Sequence, residues 1–518
     1  MGRGNGQRAT REAPRRLGAL AVGVLLALSL AVRMRNLASP LVEEHAFRQT
    51  QTAITVWTFV EEGIAPFAYQ TPVFGPPWRL PFEFPLFQIA AAVLARAGGS
   101  SIDVACRLTN LSFFYLSALC LYGLCRMHFR PRAASACILV AYAWLPYAIF
   151  WSRTAMIDYC SVFLALGYAY WFLRWLRDDG PWHALGLAVA FGCLAALVKV
   201  TTVPAVAVAM GWPALLEVRE ALRRAGGWRP SSVGRLLSVR RRLFAGSLVA
   251  ALLPLAVAFA WEAASLRVRL ASPATQWFAP ENLSLWLFGT WQQRADPRFW
   301  WIIARRFWAF APGAFALLPL LGAWCVLRSR REGRAFLLSM SVGGLVAIAT
   351  FFNLYLEHTY YLMAVSPAAA IVVGLGCYFL CFEILPSRAY RGIASGLALF
   401  HLLWVAEPYL ARPFSIRYET EPVCALGKRI QEVTPADEHV IVRDHPLGWS
   451  PEILYYARRK GLMVWGSVLE MEKAALNRFL VENRFTTLVS RRLRADLPSE
   501  GQVGGFLVYR LPPDPGRR

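Results

Sequence analysis

Residues 183–199 read HALGLAVAFGCLAALVK, with an imidazole at the start, an ammonium at the end and no formal charge between them. As an α-helix the stretch is ~26 Å long at 1.5 Å per residue, close to the ~30 Å hydrocarbon core of a bilayer. Outward from it, similar blocks recur near 17–34, 104–126, 133–151, 158–175, 202–217, 243–262, 311–327, 335–353, 362–382 and 392–407. A soluble protein hides a few such helices, but not a series of this length. The composition agrees, at 57% hydrophobic and 17% charged residues, against roughly 45–50% and 25% in soluble domains. The many Trp and Tyr residues suit interfacial aromatic belts. The expected fold is mainly α, a polytopic transmembrane bundle of about 11 spans.

The chain carries a formal net charge of +23, and the placement of that charge decides its meaning. The longest basic run extends from Arg219 to Arg242 between two apolar spans. It lacks the motif and interleaved aromatics of a nucleic-acid reader, which argues against a nucleic-acid partner. Basic loops between spans mark the cytoplasmic side. With residues 1–16 as a cytoplasmic basic tail and 17–34 as an uncleaved first span, the loops expected inside hold Arg126, Arg130 and Arg132, then Arg174 and Arg177. The long run, Arg328–Arg334 and finally Arg388 and Arg391 follow on the same side. Arg33 and Arg35, at the outer end of the first span, offend the rule mildly. High Ala, Arg and Leu with little Lys suggests a GC-rich bacterial genome, and the expected location is the bacterial inner membrane. Nine of ten cysteines fall in or beside apolar spans, with no CxxC and no Cys/His zinc spacing. They read as small core residues.

Residues 17–411 form the expected transmembrane unit, with two outer loops, 35–103 and 263–310, too long for simple connectors. The first holds amphipathic or apolar pieces at about 46–62 and 82–97. The latter begins among Pro81 and Pro85 and is too short to cross, so it reads as a juxtamembrane helix. The second is rich in Trp and holds Arg267, Arg269, Arg294, Arg298, Arg305 and Arg306, suited to anionic membrane-lipid headgroups. From residue 412 to 518 the composition turns soluble. Strand-like runs at 439–443, 462–465, 486–490 and 505–510 alternate with helix-like runs at 420–433, 451–459 and 469–483. That is the rhythm of a small α/β domain, expected on the periplasmic side.

The residues able to carry chemistry lie at the expected outer ends. Glu43, Glu44 and His45 follow the first span, with Arg48 and Gln49 just beyond. Adjacent carboxylates are ordinarily solvated loop residues, yet an acidic pair beside His and Arg at a membrane cavity supplies and orients a general base. Lys199 ends its span near the outer face. It either snorkels to water or offers a cation to a lipid phosphate. Arg153 and Asp158 stand at another outer boundary, and His358 precedes Tyr360 and Tyr361 at a fourth. No metal-ligand spacing supports a metal site among them, and a divalent metal is left open.

At these positions the sequence resembles the GT-C membrane glycosyltransferases, closest to the protein O-mannosyltransferases and the bacterial lipid A aminoarabinose transferases (a family 39-like pattern). The resemblance is carried by Glu-Glu-His-Ala-Phe-Arg-Gln-Thr-Gln-Thr-Ala (43–53), Thr-Pro-Val-Phe-Gly-Pro-Pro-Trp (71–78), Pro-Phe-Glu-Phe-Pro-Leu (81–86) and Trp-Ser-Pro-Glu-Ile-Leu-Tyr-Tyr-Ala (449–457). It implies a polyprenyl-phosphate sugar donor at the outer leaflet, a cell-envelope acceptor (lipid A, glycan or protein) and inverting transfer. The family's Asp-Glu pair falls on Glu43 and Glu44, and the Glu at the first position leaves open which is the base. Its phosphate-facing cations fall among Arg48, Arg153, Lys199 and the Arg-rich second loop. His45, Gln49, Asp158, His358 and Tyr361 complete the expected substrate-binding set. A lipid transporter or flippase is the rival reading, although no pair of Gly/Pro-broken spans in matching halves supports it.

Overall fold

The computed structural model of the chain describes residues 4–177, 181–224, 241–310, 317–328, 331–385, 411–443, 449–464, 472–492, 494 and 496–511, with seven isolated positions between 386 and 410. Its first half runs α1 Gly4–Met34, α2 Ala46–Glu62, α3 Leu86–Gly98, α4 Ile102–His128, α5 Arg132–Trp144, α6 Pro146–Trp151, α7 Asp158–Leu176, α8 Trp182–Lys199 and α9 Pro204–Arg224. Then follow α10 Arg241–Leu270, α11 Pro280–Phe288, α12 Trp291–Ala295, α13 Pro297–Phe310, α14 Leu317–Arg328, α15 Arg331–Thr350, α16 Phe352–Glu357 and α17 Ser366–Phe379. In the bundle α7 packs on α4 and α8, α10 on α8, α9 on α15, and α17 on both α5 and α14.

Small residues let these helices close. A Cβ on Gly322 would lie 1.9 Å from the Val372 carbonyl oxygen, and one on Gly376 would lie 2.0 Å from that of Leu318. Such close approach supplies packing where lipid tails remove the hydrophobic drive between helices. Leu248, Leu252, Leu255 and Phe259 of α10 are exposed instead, an apolar face suited to hydrocarbon. Arg33, out of place by the charge rule, is fully buried. It donates to the Ser152 hydroxyl at 2.7 Å and the Ala143 carbonyl at 2.7 Å.

Among the described residues, five helices are long and apolar enough to cross a membrane: Ile102–His128, Trp182–Thr202, Arg242–Leu270, Glu332–Thr350 and Thr359–Ile384. Shorter apolar helices occupy Gly18–Met34, Leu86–Gly98, Arg132–Trp144 and Leu318–Arg328. The expected count of eleven is therefore not carried through. Pro146 breaks the run at 133–151, because proline lacks the N–H of a helix interior and holds Leu145 extended. Tyr, Trp and charged ends lower the hydropathy of α7, and the second half of α9 is charged. The span expected at 392–407 lies almost wholly outside the described residues, as does the start of that at 311–327.

The C-terminal part builds one sheet from β1 His439–Arg443, β2 Gly461–Met463, β3 Phe485–Ser490, β4 Ser499–Val503 and β5 Phe506–Arg510, in the order β2-β1-β3-β5-β4. The β2-β1-β3 half is parallel, and β5 and β4 add antiparallel. Its helices are α18 Pro422–Val433, α19 Pro451–Ala457 and α20 Lys473–Glu482. The first long loop covers the β2 edge. Gly461 N–H donates to the Pro72 carbonyl at 3.1 Å, Met463 N–H to Val73 at 2.8 Å, and Gly75 N–H to Gly461 at 2.9 Å. A bare sheet edge invites pairing with another chain, and the Thr-Pro-Val-Phe-Gly segment fills that place.

Candidate active site

The site begins where the chain leaves α1. Arg107 on α4 is fully buried and gathers this loop. Its guanidinium donates to the carbonyls of Ser39 at 3.1 Å, Pro40 at 3.2 Å and Arg153 at 3.3 Å. It also forms an ion pair with Glu43. The other Glu43 oxygen is buried with no hydrogen-bond partner among the described residues. Glu44 faces the other way. Its carboxylate is 43% exposed and accepts the Thr359 hydroxyl proton at 2.7 Å.

His45 caps α2 with a left-handed backbone, φ 55°. That conformation is uncommon for a residue with a Cβ and turns the chain sharply into the helix. Its Nε2 lies 3.1 Å from Thr359 Oγ1 and 3.6 Å from the nearer Glu44 oxygen. With the threonine proton committed to Glu44, the hydroxyl accepts from His45, which places the imidazole proton on Nε2. Burial, reinforced by the charge of Arg306, pushes the His45 pKa down to about 4. The imidazole is thus neutral near pH 7. Trp151, His358 and Tyr360 surround it with ring centroids 5.0–5.8 Å away.

Two ion pairs flank this acid-base group. Arg48 meets both oxygens of Glu83 at 3.1 Å, and Gln88 adds a 3.0 Å hydrogen bond to the same carboxylate. Lys199 pairs with Asp158 and lies over the rings of Tyr361 at 3.9 Å and Tyr360 at 4.9 Å. A desolvated cation over two aromatic faces is held by their quadrupoles as well as by its counter-charge. Only 10% of the Lys199 side chain is exposed, so it does not snorkel into open water. Phe84 N–H donates to the Leu197 carbonyl at 2.9 Å and brings the Glu83 loop against the end of α8. From behind, Trp261 and Arg269 on α10 hold that loop by the carbonyls of Phe82 and Pro81.

Of the residues singled out in the sequence, the fold brings together Glu44, His45, Arg48, Asp158, Lys199, His358 and Tyr361. Gln49 has no exposed surface and spends its amide on the Ala155 N–H at 3.0 Å and the Glu44 carbonyl at 3.1 Å. It pins two loops. Arg153 likewise donates to the carbonyls of Arg35 and Asn36 and lies over the Phe414 ring. Asp158 takes Lys199, not Arg153, as its cation. In the second loop Arg294 binds carbonyls of α15, and Arg298 pairs at the surface with Asp296. From that loop Arg306 acts electrostatically on both His45 and His358.

Glu83, Thr359 and Arg107 were not singled out, and Arg306 was named only as one of the arginines of the second loop. Glu83 carried a usable signal, as the one acid in an apolar segment bracketed by Pro81 and Pro85. Arg107 carried another, as a cation inside a long apolar helix. Thr359 carried none. Among the described residues, no group of three His, Cys, Asp or Glu side chains could hold a metal ion.

The sequence matches no family model and no curated protein. Solved structures do match in fold. ArnT from Cupriavidus metallidurans in the apo state aligns over 95% of this chain and 98% of its own, with a TM-score of 0.60 and 14% identity. The archaeal oligosaccharyltransferase AglB from Archaeoglobus fulgidus, in complex with an inhibitory peptide and a dolichol-phosphate, covers 92% of this chain and 69% of its own. Its TM-score is 0.53 at 12% identity. The Archaeoglobus fulgidus oligosaccharyltransferase in complex with Zn and sulfate aligns over 90% and 67%, at TM-score 0.50 and 13% identity. ArnT, a lipid A aminoarabinose transferase, and AglB are both GT-C glycosyltransferases, and the chain has the fold they share.

Proposed function

We propose that the chain is an inverting glycosyltransferase that moves a sugar from a polyprenyl-phosphate donor to a cell-envelope acceptor at the periplasmic face of the inner membrane. The observation that carries this reading is the grouping of a half-exposed carboxylate, Glu44, with two largely buried cations, Arg48 and Lys199, at one end of an apolar bundle. In the reaction Glu44 takes the proton of an acceptor hydroxyl. The acceptor oxygen attacks the anomeric carbon from the face opposite the phosphate. The bond from that carbon to the phosphate oxygen breaks, and its electron pair leaves with the lipid phosphate.

Lys199 and Arg48 stabilise that leaving dianion, exchanging part of their contact with Asp158 and Glu83 for phosphate oxygens. Such preorganised charge contributes a few kcal/mol per contact in a partly dry site. Neutral His45, through Thr359, orients the carboxylate. Glu43 is committed to Arg107 and shapes the loop. A donor with a polyprenyl tail explains the bundle, because that substrate arrives sideways through the bilayer.

Incubating the purified protein with labelled polyprenyl-phosphate sugar and envelope acceptors tests the reading. Label joined covalently to an acceptor is the expected result. Movement of the donor between leaflets without bond formation would overturn it in favour of a flippase.

A further inference from the structure

A second cleft, of about 750 Å³, lies between the C-terminal end of α2 and the C-terminal sheet, lined among others by Trp57, Trp78, Glu61, His439 and Arg458. None of these belongs to the acid-base group. His45 begins α2 and Glu61 stands near its other end, so about 24 Å of helix separates them.

The lining is chemically mixed in a particular way. Among the described residues, the indole N–H groups of Trp57 and Trp78 and the carboxylate of Glu61 have no hydrogen-bond partner. One terminal nitrogen of Arg458 and the Ser100 hydroxyl, both on the lining, are buried and unpartnered. His439 gives its Nδ1 proton to the Asn483 carbonyl at 2.6 Å, which leaves Nε2 as an acceptor. Trp78 is held over the His439 ring at 4.5 Å by a backbone with φ 67°, a conformation rare for a bulky residue. On the same wall Lys460 and Glu62 cancel each other's charge at 2.7 Å. A ligand here therefore needs flat C–H faces for the two indoles, and hydroxyls that donate to Glu61 and His439 and accept from Arg458. A sugar ring has both. A simple anion would meet the carboxylate of Glu61 and neutral aromatic faces.

We infer that this cleft is a saccharide subsite that holds sugar units of the acceptor remote from the reacting one. The inference rests on the transferase reading for the source of the ligand. Binding energy collected on a non-reacting part of a substrate is available to position the reacting end, and an oligosaccharide acceptor is long enough to span about 24 Å.

The test uses the full-length protein with delipidated envelope oligosaccharides of graded length as acceptors. In the wild type, kcat/KM should rise about tenfold once the acceptor is long enough to reach the cleft. Trp57→Leu and Glu61→Gln should each erase most of that length advantage within the variant itself. Glu61→Gln alters an exposed helix residue, so it reports even if Trp57→Leu folds poorly. A length advantage retained in Glu61→Gln and in folded Trp57→Leu would overturn the subsite, although transfer itself stands. If the wild type transfers no sugar at all, the transferase reading fails, and saturation-transfer NMR with the same oligosaccharides decides separately. Binding lost in Trp57→Leu and Glu61→Gln keeps the saccharide site, and absence of binding to the wild type removes it.

Discussion

Neighbouring in sequence, Glu43 and Glu44 are set in opposite surroundings by what each faces. Breaking a buried ion pair leaves a charge uncompensated and costs about 3–5 kcal/mol. Glu43→Gln strands the buried Arg107 in that way, so a clear fall in thermal midpoint is expected, with lost activity following from lost structure. Glu44→Gln touches a half-exposed group, so the midpoint should hold while turnover falls roughly 10²–10⁴-fold, the usual worth of a general base. Thermal unfolding in detergent beside a transfer assay separates them, and normal turnover in Glu44→Gln would move the base elsewhere. His45 predicts a pH effect. Its folded pKa, about 4, lies below the ~6.5 of an unfolded histidine. Between those values the unfolded chain binds the extra proton, so stability should decline as pH falls from 6.5 to 4 and level off below. His45→Gln should flatten that slope, and an unchanged slope would show that the histidine is not buried neutral. The acidic pair was conspicuous in the sequence, but its division of labour was not. It depends on Arg107, 64 residues away, and on Thr359 beyond that.

At the scale of elements, the two tyrosines of the Trp-Ser-Pro-Glu-Ile-Leu-Tyr-Tyr-Ala segment dock the sheet onto the bundle. Asp103, buried in the first turn of α4, accepts hydroxyl protons from Tyr455 and Tyr418 and, at 3.3 Å, from Tyr456. The Tyr456 hydroxyl in turn accepts the Leu41 N–H at 2.5 Å, two residues before Glu43. Charge-assisted hydrogen bonds of this kind contribute about 1.5–3 kcal/mol each. Asp103→Asn should therefore lower the midpoint and make residues 411–511 more sensitive to limited protease. Turnover should fall as well, although Asp103 is not part of the acid-base group. Equal protease resistance in Asp103→Asn and wild type would remove the docking role. The reading from sequence located three helices and four strands of this part, because each apolar run has its own period and turn residues. It missed β4, whose Ser-Glu-Gly-Gln-Val is polar and becomes a strand only by pairing with β5. The span expected at 133–151 ran straight through Pro146, since composition records the apolar run but not the break.

The whole molecule is polar in its charges as well as in its chemistry. At one end of the bundle Arg177 donates to the Met127 carbonyl at 3.0 Å and His128 stacks on Phe336. At the other end stand Glu44, Lys199, Asp158, His358 and the sheet. With 27 residues, α4 extends ~40 Å, some 10 Å beyond a ~30 Å hydrocarbon core. Its Asp103 end can thus project past the apolar layer to meet the sheet. If the Arg-rich end faces the cytoplasm, as the positive-inside bias requires, the acid-base group and the sheet face outward together. A phosphatase that is active only when exported, fused after residue 411, should then be active, and a fluorescent reporter that matures only in the cytoplasm should stay dark there. The reverse pattern could not be confined to the sheet. The Tyr456–Leu41 hydrogen bond and the 72–75 edge tie it to the loop that carries Glu44. A cytoplasmic C-terminus would therefore bring the proposed base inside as well, and a donor presented in the outer leaflet would be out of its reach.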